Sequence, residues 1–104
     1  MKTNTTNYLG EACKLARNMK LCVNEVLYCE GEANYTHIHL ISGKPRMLAR
    51  TLLIVENRIA SESFIRISRK HLVNRKFITE VGTDYVVMSN QMTLPISRRR
   101  RGVV

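Results

Sequence analysis

Antiparallel β-strands in small packed sheets, with one short α-helix, are expected of this 104-residue chain on three grounds. From Val23 onward, short runs rich in β-branched and aromatic residues are cut by turn signals roughly every eight to twelve positions, the spacing of a mostly β domain. Within several of these runs apolar and polar residues alternate, as successive side chains of a strand must when they point to opposite faces. One stretch has the apolar stripe of a helix, Leu52, Val55 and Ile59 recurring at i, i+3 and i+7. The length fits a single domain whose core buries about two thirds of the surface of the unfolded chain.

Residues 1–22 begin polar and Asn/Thr-rich and are read as a lead-in arm, with Leu9, Ala12, Leu15 and Ala16 giving at most a short helix-like pattern. Residues 23–104 form the folded domain. A first strand covers residues 26–30 and a second covers 35–41, with Thr36, Ile38 and Leu40 on one face and Tyr35, His37 and His39 on the other. Ser42, Gly43, Lys44 and Pro45 then turn the chain into a strand over 46–50. Thr51 is placed to cap the helix, because its side-chain oxygen can accept from an amide left unpaired in the first helical turn. Residues 64–68 alternate again, Phe64 and Arg66 opposite Ile65 and Ile67, and Leu72 and Val73 form a second buried stretch. Residues 77–81, 85–88 and 92–96, separated by Gly82-Thr83-Asp84 and Ser89-Asn90-Gln91, read as a β-meander. Pro95 has no amide to donate, which puts the last strand at a sheet edge.

Hydrophobic residues at 44% and charged residues at 24% are those of a globular domain, not of a disordered tail. The longest apolar runs are about four residues, far short of the ~20 that span a bilayer, so no membrane partner is expected. The first twenty residues contain no continuous apolar run of the secretory type. Cys13, Cys22 and Cys29 are odd in number and contain no C-x-x-C pair, so they are read as reduced thiols of a cytoplasmic protein. No phosphate loop, nucleophile elbow, H-E-x-x-H helix or acid pair with a partner base occurs. Neither an enzyme nor a small-molecule substrate or cofactor is expected. His37 and His39 share a strand face near Cys29, but a full metal-ligand set is missing, and the pair is read as facing solvent or DNA. Glu30, Glu32 and Glu56 have no cation-site spacing and are read as solvated surface charge.

Charge is the more informative quantity. A formal net charge of +9 on so small a surface makes a polyanion the first partner to consider. Nine basic and three acidic residues fall in 61–104, against eight and five in 1–60. Arg66, Arg69, Lys70, Arg75 and Lys76 lie within eleven positions without an acid, and Arg98, Arg99, Arg100 and Arg101 follow directly on the last strand. Two such clusters on one β-domain make nucleic acid the leading class of partner.

The strings themselves then carry a resemblance. Val26-Leu27-Tyr28-Cys29-Glu30 followed by Gly31-Glu32-Ala33-Asn34-Tyr35-Thr36 resembles the I-x-Y-I-E-x-x-x-N-Y-T opening of the LytTR family of bacterial DNA-binding domains. Thr51-Leu52 with Ile59 is similar to that family's T-L-x-x-L-E-x-x-L helix. Residues 64–74 resemble its F-x-R-I-H-R-S-x-x-V-N block, and Leu94-Pro95-Ile96-Ser97-Arg98-Arg99 resembles its terminal L-P-V-S-R-R. Four blocks in order span about residues 23–101.

The resemblance implies an almost all-β domain that puts loops into successive major grooves of double-stranded DNA and regulates transcription, with a homodimer on repeated sites. Carried over block by block, it implies base contacts from Asn34, Tyr35 and Thr36, from Arg69 and from Arg98. The chemistry agrees, because an arginine fork matches the O6 and N7 acceptors of guanine, and an asparagine amide matches an adenine edge. Lys70, Arg75, Lys76, Arg99, Arg100 and Arg101 are assigned to phosphates, which fix register without reading sequence. Ser68 stands where the family usually has histidine and Lys70 where it often has serine. Many members follow a phosphoacceptor receiver domain, whereas about 22 residues precede the first expected strand here, so a stand-alone regulator is expected. The alternatives are a basic RNA-binding protein and an interaction module that docks an acidic partner.

Overall fold

A computed structural model describes residues 12–16 and 19–104. Among these described residues, ten strands and one α-helix follow in chain order. Strands β1 (Ala12–Ala16) and β2 (Met19–Cys22) pair as an antiparallel hairpin. Next come β3 (Val26–Glu32), β4 (Tyr35–Leu40), β5 (Arg46–Leu48), the helix α1 (Leu52–Ile59), β6 (Phe64–Arg66) and β7 (His71–Asn74). The last three strands are β8 (Ile78–Val81), β9 (Tyr85–Met88) and β10 (Thr93–Pro95).

A five-stranded antiparallel sheet in the order β5-β4-β3-β7-β6 stands at the centre. Its two faces are buried differently. On one face Val26, Cys29, Ile38 and Leu72 pack under Leu52, Val55 and Ile59 of α1 and under Leu15 and Leu21 of the β1–β2 hairpin. On the other, Leu27, Tyr28 and Val73 pack under Val86 and Met88 of β9, Leu94 of β10, and Ile96. Val86, Met88 and Leu94 belong to a separate three-stranded sheet, β10-β9-β8, which is the expected meander, and Ile96 follows it directly. Pro95 lies in its edge strand β10, where a missing amide leaves no inner ladder bond unmade.

Local sequence explains most of these elements. Thr51 is extended, its Oγ1 accepts from Ile54 N, and the apolar stripe of α1 turns Leu52, Val55 and Ile59 inward. In β4 the alternation buries Thr36 and Ile38 and leaves Tyr35 exposed. A register shift between Val26 and Tyr28 in β3 puts the consecutive residues Leu27 and Tyr28 into one cluster, so that this strand feeds both faces without strict alternation. Asn74 is fully buried but satisfied, donating from Nδ2 to Val26 O and accepting at Oδ1 from Lys76 N.

The start of the chain differs from expectation. Of the helix-like pattern, Leu9 lies outside the described residues, and Ala12–Ala16 is a strand rather than a helical turn. Leu15 is 1% exposed and sits in the cluster beneath α1, whose Arg58 Nη1 donates to Leu15 O.

Candidate nucleic-acid interface

Two basic segments meet at one end of the central sheet. β6 leads into Ile67, fully buried in the meander-side core, and Ile67 N donates to His71 O at 3.0 Å. Residues 68–70 therefore form a closed loop between β6 and β7. Ser68 Oγ accepts from Lys70 N and His71 N at 3.2 and 3.1 Å, closing that loop with a local side-chain turn. Gly31 N donates to Lys70 O at 2.8 Å, tying the loop to β3 as well. Arg69 and Lys70 are held by this frame with their side chains exposed.

The second segment is anchored the same way. Leu94 and Ile96 are buried, and Ser97 N donates to Ile67 O at 2.8 Å, so the chain leaving the meander is bonded to the base of the 68–70 loop. Arg98–Arg100 then form a 3-10 turn closed by Arg100 N to Ser97 O at 2.9 Å. Three residues per turn send successive side chains out about 120° apart, which spreads the arginines instead of stacking them. Arg66, Ser68, Arg69, Ser97, Arg98, Arg99 and Arg100 line one open concavity that no acidic residue lines. Arg101 follows, exposed.

The remaining expected contacts divide by strand geometry. Because Glu30 of β3 pairs with His71, the β3–β4 turn lies at the same end of the sheet as the 68–70 loop, and Asn34 and Tyr35 are exposed there. Thr36 is a correction: its side chain is fully buried and its Oγ1 donates to Arg50 O at 2.8 Å, which removes it from any DNA contact. Arg75 and Lys76 follow β7 at its opposite end, where Lys76 Nζ donates to Asn24 Oδ1 at 2.9 Å. They are close to Arg69 in sequence only. Arg50 is a further basic residue that no cluster marks in the sequence, since it stands alone among uncharged neighbours. The bond from Thr36 brings it, exposed, to the end that carries Tyr35.

Behind the loop lies a polar group on the sheet face. His39 Nε2 is 3.4 Å from Glu30 Oε1, His71 Nε2 is 3.8 Å from Glu30 Oε2, and Tyr28 stacks on His39 with ring centroids 4.4 Å apart. His37 pairs instead with Glu32 at 2.8 Å. Cys29 turns into the opposite, α1-side cluster, and among the described residues no His, Cys, Asp or Glu group is arranged to hold a metal. Burial pushes the His71 imidazole below its ordinary value, with Lys70 and His39 adding to this and Glu30 opposing it. The native state then resists a proton that the unfolded chain accepts below about pH 6.5. Stability is expected to be full above that pH and to fall as the solution is acidified. Thermal unfolding of the wild type and His71→Gln at pH 7.5 and 5.5 checks this, the variant showing the smaller drop.

Comparison with known proteins bears on the fold and the family. The family model described as the LytTr DNA-binding domain matches residues 16–103. No curated protein sequence matches the chain. Among solved structures, the chain is similar to the LytTr DNA-binding domain of a Bacillus cereus protein described as a methyl-accepting/DNA response regulator. The TM-score is 0.68 at 19% identity, with 86% of this chain and 87% of that chain covered, a likeness of fold. No helix among the described residues is long and apolar enough to cross a membrane. With the family model spanning both arginine segments and all strands from β2 to β10, this chain belongs to the LytTR family of DNA-binding domains.

Proposed function

We propose that the domain is a transcription regulator that reads the sequence of duplex DNA with its loops in the major groove, two copies occupying repeated sites. The observation that carries this reading is the Ser97 N to Ile67 O bond, which fixes the Arg98 turn against the Arg69 loop in one acid-free concavity. Arg69 and Arg98 read guanine edges, and Asn34 and Tyr35 approach bases from the neighbouring turn. Lys70, Arg99, Arg100 and Arg101 contact phosphates, and Arg50 joins them. Arg75 and Lys76, at the far end of β7, are given no contact.

Selection from a random duplex pool near physiological ionic strength tests the proposal, because screening there suppresses attraction that is merely electrostatic. The expected result is a motif repeated at a spacing of about one helical turn. Recovery of no motif by the folded protein, or tighter binding to structured RNA than to any duplex, overturns it.

A further inference from the structure

Arg66 belongs by sequence to the basic cluster, yet each of its three nitrogens donates to an acceptor inside the protein. Its Nε donates to Ser68 O at 2.7 Å, its Nη2 to Arg69 O at 2.8 Å and its Nη1 to Glu56 Oε1 at 2.7 Å, with 16% of the side chain exposed. Two of the three acceptors are consecutive carbonyls of the loop that presents Arg69, and the third is a carboxylate on α1. A guanidinium is a rigid planar fork, so engaging it at three edges fixes the peptide planes it touches. Glu56 balances the charge that remains.

We propose that Arg66, held by Glu56, is a positioning residue for DNA reading: it sets the backbone of residues 68–70 so that Arg69 projects at a fixed angle, and it does not itself touch DNA. The inference rests on the DNA-reading function proposed above. It gives Glu56, which has no cation-site spacing, a role through Arg66. It also makes α1 part of the interface without contact, since the anchor of the loop is a helix residue.

Truncating the Glu56 side chain separates the clamp from its rival. If Arg66 were a phosphate ligand restrained by Glu56, Glu56→Ala would tighten binding to every duplex, since an acid near a polyanion is lost. Under the clamp, Glu56→Ala lowers the ratio of affinities for selected over random duplex roughly tenfold, the scale of one misplaced bidentate arginine contact. Arg66→Lys keeps the net charge but replaces the wide planar fork with a single compact ammonium, and is expected to lower the ratio by a similar factor with random-duplex affinity unchanged. Glu56→Gln keeps an acceptor oxygen and rescues the ratio. A readout without DNA accompanies these: amide hydrogen exchange at Arg69 and Lys70 quickens in Arg66→Lys and Glu56→Ala while the β9 amides keep their protection.

The clamp is overturned if Glu56→Ala tightens both duplexes with the ratio intact, if Arg66→Lys leaves ratio and exchange unchanged, or if Glu56→Gln fails as Glu56→Ala does. A wild-type chain without preference for any duplex overturns the DNA-reading function itself, and the exchange measurement still decides whether Arg66 and Glu56 hold the loop.

Discussion

Arg69→Ala and Arg98→Ala are each expected to cost about 1–3 kcal/mol of binding to a selected site and much less on random duplex. Both side chains are exposed and line one concavity, so neither truncation opens a cavity in the core or strands a buried partner. The loss comes from guanine O6 and N7 atoms left without donors, and it falls on the matching sequence alone. Arg100→Ala is expected to behave differently. As a phosphate contact it weakens selected and random duplex alike and reduces the slope of log affinity against log salt by about 0.9. Competition titrations of the three variants at two or more salt concentrations separate the classes. Equal losses on both duplexes for Arg69→Ala and Arg98→Ala would make them phosphate contacts and remove base reading from this surface.

These assignments show how far residue order alone reaches. Alternation in β4, the Thr51 cap of α1, the meander and the edge position of Pro95 follow from local periods and turn chemistry, and the folded chain keeps them. Spatial grouping does not follow from sequence spacing. Arg69 and Arg75 are neighbours in the string, but β7 rises about 3.3 Å per residue and carries the chain from one end of the sheet to the other. Arg98 is remote in sequence from Arg69, yet one backbone bond between Ser97 and Ile67 joins their segments. Thr36 carried a conflicting signal, since its alternation with Ile38 already put it in the core while its string put it among DNA contacts. The Glu56–Arg66 pair had no local signature at all, because it links a helix to a strand through tertiary packing.

The hairpin at the start of the chain was the least legible element, and Leu15→Ala is expected to expose what holds it. Strands of Ala, Lys, Cys, Leu and Met have weak β propensity, and a two-stranded hairpin alone is marginal in water. Its pairing must therefore be supported by burial. Leu15 and Leu21 supply that support by entering the cluster under α1, a contact no period within residues 12–22 encodes. Truncating a fully packed leucine removes its transfer free energy and leaves a void that neighbours fill only in part, at a cost of about 2–5 kcal/mol. In urea, the midpoint should fall by that free energy divided by the slope, with the slope itself unchanged, the sign of lost stability rather than a different unfolded state. A lead-in arm without core contacts would change stability by less than about 0.5 kcal/mol on the same substitution. The size of this one shift therefore decides whether the domain begins at the first strand pair of the central sheet or includes the hairpin that covers it.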